Sequence, residues 1–271
     1  MTRPAPSTVV ITCTLLGLTV LSLGCDQESA ESGGGPAPRA GAATSPAVPV
    51  KARSGDLILS IGDSLGVTGT YPYPQRLLDK LSESGDYELA NIAEPGTTSA
   101  DWLPGEPLFE DRLRPQLEGE RRPLILVTLG GNDLEAALGG ANGPNALSIA
   151  AANQAYAVLE RTRRRIGENL AELYGAIRQA NPKAVIVYVT YPDYAGSTYW
   201  QEAAGALGVI GLQQGLVALR ETAAATGPDL LIDLLDPTAE ANVDRLLSDG
   251  EHLSEAGHAY YAKAIAEQIA P

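Results

Sequence analysis

Short apolar runs of strand length alternate with longer helical stretches along residues 55–271, and this alternation constrains the fold more than any other feature. The runs LILVTL (124–129) and AVIVYVT (184–190) are apolar at consecutive positions, as strands covered by helices on both faces must be. Repeated strand–helix alternation predicts a parallel sheet with right-handed crossovers. We therefore expect a three-layer α/β domain with five strands, at 57–61, 87–92, 124–129, 184–190 and 230–234.

Helical patterns fill the segments between these strands. Pro74 suits the first turn of a helix, and Asn181-Pro182 stops another, so helices are predicted at 74–83, 166–180, 201–225 and 255–269. In parallel α/β sheets, ligands lie beyond the carboxyl ends of the strands. Residues that directly follow a predicted strand are therefore the first candidates for function.

The region between residues 134 and 165 is harder to interpret. Residues 134–148 read as a helical turn and then a loop rich in Gly, Asn and Pro, whereas residues 149–167 have a helical pattern. The helical part carries a basic cluster in an acidic chain. The cluster indicates either a solvated helix face or a site for a phosphate or carboxylate group of the substrate. Its members are Arg161, Arg163, Arg164 and Arg165.

The first 24 residues have the pattern of an export signal. Arg3 is the only charged residue before Asp26, and residues 9–24 form an apolar run that is short for a membrane span. The run ends in LSLGC, which resembles a bacterial lipoprotein signal with Cys25 as the lipidated residue. That signal implies an exported chain held on the periplasmic or extracellular face of a bacterial membrane by its N-terminal lipid. An ordinary cleaved signal, which gives a secreted protein, and a retained N-terminal anchor are the alternatives.

Residues 26–54 are dominated by Ser, Gly, Pro and Ala and have no aliphatic periodicity. Such a stretch cannot bury enough apolar surface to offset the entropy of ordering it, so we predict a disordered linker. Residues 55–271 suffice for one domain with a sizeable core. The formal net charge of −14 argues against nucleic acid as a partner.

Cysteine and histidine are scarce. Cys13 and Cys25 both precede the domain, which excludes a disulfide, a thiolate metal site and a cysteine nucleophile within it. His252 and His258 are the only histidines, so a histidine-rich metal site is excluded as well. Neither G-x-x-x-x-G-K nor G-x-G-x-x-G occurs, and we expect no metal and no cofactor.

Ser64 directly follows the first predicted strand, after Asp63 and between Gly62 and Gly66. Small neighbours let the backbone turn sharply and let a substrate approach the hydroxyl. A serine hydroxyl is a poor nucleophile until a base removes its proton, so this position requires a histidine and a carboxylate elsewhere in the chain.

The stretch SDGEHLSEAG (248–257) offers both groups. Asp249 can hold one imidazole nitrogen of His252 and leave the other free to act as a base, while Ser254 is a candidate N-cap for the last helix. His258 is the competing base. It lies inside the helical pattern, where packing or solvent exposure is the simpler role.

An acyl-transfer site also needs hydrogen-bond donors aimed at the developing oxyanion. Asn132 follows the third strand behind two glycines, and its side-chain amide is one candidate donor. Gly96 follows the second strand and offers a bare backbone N–H. The alternatives are an Asn in a left-handed turn and an ordinary Pro-Gly turn.

Together these signatures resemble the GDSL or SGNH hydrolases, whose four motifs occur here in the same order along the whole domain. They are GDS (62–64), Gly96 within NIAEPGTTSAD (91–101), GGND (130–133) and DGEH (249–252).

The resemblance implies a flavodoxin-like three-layer fold and a serine esterase. It implies that Ser64 is the nucleophile, with Asp249 and His252 as its orienter and base. The Ser64 amide, Gly96 and Asn132 would then donate to the oxyanion. The loop at 139–147 and the Arg-bearing segment look like an insertion relative to the family.

The substrate is less constrained than the chemistry. Members of the family cleave acetylated polysaccharides, lysolipids, thioesters and aryl esters, so we expect an acetylated glycan, a lysolipid or a small ester. Residues 191–208 begin at the end of the fourth strand, and their Tyr191, Tyr194, Tyr199 and Trp200 either line the pocket or pack under a loop. The competing hypothesis is a non-catalytic envelope lipoprotein that binds a glycan or lipid, although every catalytic residue is present.

Overall fold

The computed structural model describes residues 49–138 and 149–271. The predicted signal 1–24, the lipidation candidate Cys25, most of the predicted linker and residues 139–148, with the loop predicted at 139–147, lie outside the described residues.

The core of the domain is a single five-stranded sheet in which all neighbouring strands are parallel. The spatial order is β2-β1-β3-β4-β5, the order of flavodoxin-like folds. This confirms the predicted fold class, and each strand lies within a few residues of its predicted position. The strands are β1 (Leu57–Gly62), β2 (Glu88–Asn91), β3 (Pro123–Thr128), β4 (Val185–Val189) and β5 (Leu230–Ile232).

The helices connect and follow these strands. A π-helical segment, Leu108–Leu113, continues directly into the short α2. The helices are α1 (Tyr73–Ser82), α2 (Arg114–Leu117), α3 (Gly131–Leu138), α4 (Ile149–Ala180), α5 (Thr198–Ala225), α6 (Leu235–Glu240), α7 (Val243–Leu246) and α8 (Glu255–Ile269).

Two differences from the predicted helices have a simple reason. The basic segment and the predicted helix at 166–180 form one continuous helix, α4, because no Gly-Pro stop separates them. The short helices α2, α6 and α7 were not predicted, since pieces of one or two turns are too short to show a 3.6-residue period.

The helices form two layers. Helix α1 packs against α8, and α4 packs against α3 and α5. The step from β1 to β2 runs opposite to all later steps along the sheet, so a right-handed crossover places α1 on the other face from α4 and α5. Strands β1 and β3 are buried along their whole length, as a sheet covered on both faces requires.

The strand order reverses between β1 and β3, and ligands of such sheets bind at this switch point. Gly62 ends β1 with φ of +132°, and a Cβ at this position would lie 2.1 Å from the carbonyl oxygen of Thr128 on β3. Only glycine allows the two strand ends to approach so closely. The residues after β1 and β3 therefore emerge side by side.

Contacts of the folded unit begin before residue 55, the predicted start of the domain. Ala52 is buried, and its N–H donates to Ile269 O at 2.7 Å. Arg122 Nη2 donates to Lys51 O at 2.6 Å.

Within the described ranges, no helix is long and apolar enough to cross a membrane. The same ranges contain no group of three His, Cys, Asp or Glu side chains placed to hold a metal ion.

Candidate active site

Ser64 lies in a tight 3-10 turn, Ser64–Gly66, that begins as soon as β1 ends. The Asp63 side chain caps this turn, since its Oδ1 accepts a hydrogen bond from Leu65 N at 3.1 Å. The Asp63 N–H donates to Thr128 O at 3.2 Å, which joins the start of the turn to β3. Ser64 remains partly exposed while Asp63 and Leu65 are buried. The turn thus presents the serine at the carboxyl edge of the sheet.

Asp63 is a buried carboxyl group next to the candidate nucleophile. Its second oxygen accepts a hydrogen bond from the Tyr191 hydroxyl. Burial raises the pKa of Asp63 to about 6, although the hydrogen bonds from Tyr191 and Leu65 and the charge of His252 oppose that rise. The carboxyl therefore titrates just below neutral pH.

Gly96 lies in an exposed turn after β2. Its φ is +79°, and a Cβ there would meet nothing within 4 Å, so the turn conformation explains the glycine. Thr97 anchors this loop, because its hydroxyl donates to Gly62 O at 3.1 Å. Among the described residues, no acceptor takes the Gly96 N–H. The amide is thus available to a ligand beside the end of β1.

Asn132 lies in the first turn of α3, directly after β3. Its Nδ2 donates to Thr97 O at 2.8 Å, and this bond brings the side chain to the Gly96 loop. An amide nitrogen carries two hydrogens, so one remains for an oxyanion. The structure thus places both sequence-predicted donors next to each other.

Asp133 provides a second link between the same two loops. Its buried carboxylate accepts hydrogen bonds from Ser99 N at 2.8 Å and from Ser99 Oγ at 3.0 Å. Asn169 on α4 donates to Ser99 Oγ at 2.9 Å and completes the network. The loop of Gly96 and the turn of Asn132 are therefore held together by two independent contacts.

Asp249 and His252 are hydrogen-bonded to each other in the loop before α8. Asp249 Oδ2 lies 2.8 Å from His252 Nδ1, and Asp249 Oδ1 accepts from His252 N at 2.8 Å and from Glu251 N at 3.0 Å. Partial burial would raise the pKa of Asp249, but these hydrogen bonds outweigh it and lower that pKa. The ionised carboxylate holds the proton on Nδ1, which leaves the Nε2 lone pair free.

The loop that carries this pair is held by one contact within it and by one from α5. Ser248 N donates to His252 O at 2.8 Å, and Trp200 Nε1 donates to Gly250 O at 3.1 Å. Gly250 has φ of +93°, and a Cβ there would lie 2.3 Å from the Tyr199 ring. The loop conformation therefore depends on glycine at this position.

The structure does not join every candidate residue. Among the described contacts there is no hydrogen bond between Ser64 and His252, although the charge of His252 acts on Asp63, the neighbour of Ser64. Catalytic hydrogen bonds are often long without substrate and tighten in the complex.

His258, the competing base, lies in α8 and is fully buried. Its Nδ1 accepts a hydrogen bond from Tyr73 N at 3.2 Å, and its ring stacks on that of Tyr73 with centroids 6.4 Å apart. Burial lowers its pKa. Of the two roles expected for it, packing is the one observed.

The basic cluster of α4 has the contacts of a solvated face. Arg161 and Arg164 are exposed, and Arg163 pairs with Glu160 at 2.9 Å. Arg165 is also exposed and lies 3.9 Å from Asp133 Oδ1.

The aromatic residues after β4 divide between the two expected roles. Tyr191 is buried and hydrogen-bonded to Asp63, whereas Tyr199 is 43% exposed beside Gly250. Tyr194 and Trp200 are partly buried and pack against the core.

Sequence reasoning assigned no role to Asp63, Thr97 or Asp133. Each directly adjoins a candidate residue, but a polar neighbour carries no signal of burial or of a partner distant in the chain. Their functions depend on which strands lie side by side, which only the fold supplies.

A separate groove of about 740 Å³ lies at the amino ends of β1, β3 and β4, the edge opposite Ser64. Its charged groups are largely paired. Arg122 contacts Asp56 at 3.2 Å, and Lys183 contacts Glu120 at 2.9 Å. These pairs fit a solvated surface rather than a reactive site.

Comparison with known proteins agrees with this geometry. The family model described as GDSL-like Lipase/Acylhydrolase family matches residues 60–260. No curated protein sequence shows significant similarity to the chain.

Several solved structures share the fold at low sequence identity. A lipase from a goat rumen metagenome superposes with a TM-score of 0.61 and 17% identity, covering 79% of this chain and 97% of the lipase. An extracellular lipase from Streptomyces rimosus gives 0.58 and 18%, covering 79% and 100%. A catalytic mutant of an acetylxylan esterase from Geobacillus stearothermophilus gives 0.56 and 18%, covering 81% and 96%.

The family model spans most of the domain, from within β1 to within α8, and so includes all four motifs. The chain therefore belongs to the GDSL-like lipase/acylhydrolase family and is a carboxylic ester hydrolase of the GDSL/SGNH type.

Proposed function

We propose that this protein hydrolyses carboxylic esters through an acyl-enzyme on Ser64, at the bacterial cell envelope. The observation that carries the proposal is the Asp249–His252 pair. Two hydrogen bonds of 2.8 Å, one to the ring and one to the backbone, fix the imidazole relative to the carboxylate. A histidine held in this way is a general base with a defined free nitrogen.

In the first half of the reaction, His252 Nε2 takes the proton from Ser64 Oγ as the oxygen attacks the ester carbonyl carbon. A tetrahedral intermediate forms with a negative oxygen. His252 then gives its proton to the leaving alcohol, and Ser64 keeps the acyl group. In the second half, water loses a proton to His252 and attacks the acyl-enzyme. The bond between Ser64 Oγ and the acyl carbon then breaks, His252 returns its proton to Ser64 Oγ, and the carboxylic acid is released.

The oxyanion would be stabilised by three donors: the Ser64 amide, the Gly96 amide and Asn132 Nδ2. The Asn132–Thr97 bond and the Ser99–Asp133 bonds hold two of these donors before substrate arrives. Preorganised donors stabilise the transition state without reorganisation during the reaction, and one donor typically contributes about 10²–10³ in kcat.

The proposed substrates are an acetylated glycan, a lysolipid or a small ester. The names of the structural neighbours, two lipases and an acetylxylan esterase, support an oxygen ester without selecting an acyl length. Tyr199, exposed beside the His252 loop, offers an aromatic face at the rim.

The test is hydrolysis of p-nitrophenyl esters from acetate to octanoate by the wild-type chain and by Ser64→Ala. Ser82→Ala, which removes an exposed hydroxyl on α1, is the matched control. We expect turnover by wild type and control only, and the preferred chain length separates deacetylase from lipase behaviour. Equal turnover by Ser64→Ala would refute the mechanism. A folded wild type that cleaves none of the esters would favour the glycan- or lipid-binding alternative.

The proposed envelope location rests on the resemblance of LSLGC to a lipoprotein signal. It is tested by expressing the full chain in a bacterium that is fed an alkyne-tagged fatty acid. We expect the tag on wild type and on Cys13→Ser, and its loss from Cys25→Ser. Tag-free wild-type protein in the medium would instead indicate an ordinary cleaved signal.

A further inference from the structure

Tyr191 makes a buried hydrogen bond that the catalytic steps above do not use. It follows β4, and its hydroxyl donates to Asp63 Oδ2 at the end of β1. Both residues are buried, with 4% and 2% of their surface exposed. Strand β3 lies between β1 and β4, so this contact spans the switch point of the sheet.

The Asp63 carboxylate connects Tyr191 to the nucleophile turn. While Oδ2 accepts from Tyr191, Oδ1 accepts from Leu65 N at 3.1 Å, inside the turn of Ser64. A rotation of the carboxylate would break the cap of this turn. The Tyr191 hydroxyl therefore restrains the carboxylate that shapes the backbone around Ser64.

The ring of Tyr191 also touches the oxyanion side of the site. A Cβ on Gly131 would lie 2.7 Å from both Cε1 and Cζ of Tyr191, so the ring packs directly against the Gly131 backbone. Gly131 immediately precedes Asn132. One side chain thus contacts both the turn of Ser64 and the turn of Asn132.

We infer that Tyr191 is a positioning residue that fixes the Ser64 turn relative to the Asn132 turn. It acts through the Asp63 carboxylate. The inference rests on the proposed function of Ser64. Tyr191 does not touch the reacting atoms, and its effect passes through two backbone segments.

The groups around Asp63 make this arrangement sensitive to pH. The ionisable groups that interact with its charge are His252, Asp133 of α3, Tyr73 of α1, Tyr261 of α8, and Tyr188, Tyr191 and Tyr194 of β4 and the segment after it. No Lys or Arg among the described residues forms an ion pair with Asp63. The Tyr191 hydrogen bond lowers the Asp63 pKa, so losing the hydroxyl raises it above its value of about 6.

The test is the pH dependence of steady-state kinetics for Tyr191→Phe, which keeps the ring and removes the hydroxyl. We expect kcat to fall roughly tenfold with KM within about twofold, because the groups that stabilise the transition state lose their alignment. The acid limb of the pH profile of kcat/KM should shift to higher pH by about one unit.

Tyr188→Phe is the matched control. Tyr188 is also buried and lies in β4, but its hydroxyl donates to a backbone carbonyl, Leu129 O, at 2.7 Å. We expect it to lower the unfolding midpoint about as much as Tyr191→Phe without moving the acid limb. An equal shift in both variants would make the effect a general loss of packing and overturn the inference.

Asp63→Asn provides a second test should Tyr191→Phe be too unstable to assay. In wild type, both His252 and Asp63 must lose a proton, so log kcat/KM should fall with a slope approaching about two at acid pH. In Asp63→Asn the slope should approach about one. Wild-type slope in Asp63→Asn, or wild-type kcat and acid limb in Tyr191→Phe, would refute the role of Tyr191. Neither result affects the proposed function, which fails if Ser64→Ala stays active or if the folded wild type cleaves none of the esters.

Discussion

The two histidines, only six positions apart, lie in opposite environments. His252 belongs to an irregular loop, keeps about a third of its side chain exposed and holds a carboxylate through Nδ1. His258 belongs to α8, is fully buried and accepts a backbone N–H through Nδ1. The difference shows that the partner of Nδ1 decides what a histidine can do.

These partners require opposite tautomers. His252 donates from Nδ1 to Asp249, so its Nε2 has a free lone pair and can act as a base. His258 accepts at Nδ1 from Tyr73 N, so in the neutral ring the proton is on Nε2. The first ring is placed for proton transfer, and the second closes the contact between α8 and the start of α1.

Replacing His252 should have the largest effect on activity. We expect His252→Ala to lower kcat/KM for a p-nitrophenyl ester by about 10⁴, because Ser64 loses its base. The unfolding midpoint should barely change, since the side chain lies in a surface loop. An active His252→Ala protein would show that the comparison of the two rings assigns the base wrongly.

Replacing Asp249 tests the tautomer itself. In Asp249→Asn, the side-chain amide can donate to Nδ1 and thereby move the ring proton to Nε2. We expect kcat to fall by about 10³. This loss is smaller than the loss in kcat/KM expected for His252→Ala, because the imidazole is still present and water reaches the half-exposed pair. Proton NMR of the imidazole should report the changed tautomer, and an unchanged ring spectrum would contradict this explanation.

Replacing His258 should change stability instead of catalysis. His258→Leu keeps most of the volume but leaves the Tyr73 N–H without an acceptor, which should lower the free energy of unfolding by about 2 kcal/mol. Urea denaturation measures this loss. We expect kcat at neutral pH within about twofold of wild type; a loss comparable to that of His252→Ala would give His258 a catalytic role.

The same variant has a predictable pH dependence. Burial lowers the folded-state pKa of His258, so it contributes stability above its unfolded pKa of about 6.5, and this is lost as the pH falls through the folded value. The stability gap between wild type and His258→Leu should narrow below about pH 6.5. The raised pKa of Asp63 gives a pH dependence of stability opposite in sign to that of His258. Because this contribution is the same in wild type and in His258→Leu, it cancels when the two free energies of unfolding are subtracted.

Replacing Ser254, which lies between the loop of His252 and the helix of His258, should have the smallest effect. Ser254 caps α8, with its Oγ accepting from Gly257 N at 3.1 Å, as the sequence predicted. We expect Ser254→Ala to lower the free energy of unfolding by about 1 kcal/mol in urea denaturation. Because the Asp249–His252 contacts lie before the cap, kcat should stay within a few-fold; a larger loss would show that the loop depends on the helix start.

Most of the fold was predictable from local patterns. The apolar runs predict β3 and β4 because strands covered on both faces are apolar at consecutive positions, and α8 was predicted with its observed bounds. Both parts of α4 were predicted, but not their continuity, and the short α2, α6 and α7 were not predicted because segments of one or two turns show too little periodicity.

The candidate residues were predictable for a different reason. Ser64, Gly96 and Asn132 each follow a strand, and parallel strands end at one edge, so topology alone brings them together. The pair of Asp249 and His252 is close in the chain and needs only a loop.

The sequence by itself determined the α/β class with its parallel sheet, the chemical types of the candidate site and the spacing of Asp249 and His252, because these depend on short-range pattern and residue chemistry. Only the tertiary structure decided the opposite tautomers of the two histidines and the burial of Asp63 against Tyr191. Each of those depends on an atom contributed from far along the chain, Tyr73 N for His258 and the Tyr191 hydroxyl for Asp63. Local patterns carry no information about such contacts, which exist only once the sheet has placed its strands side by side.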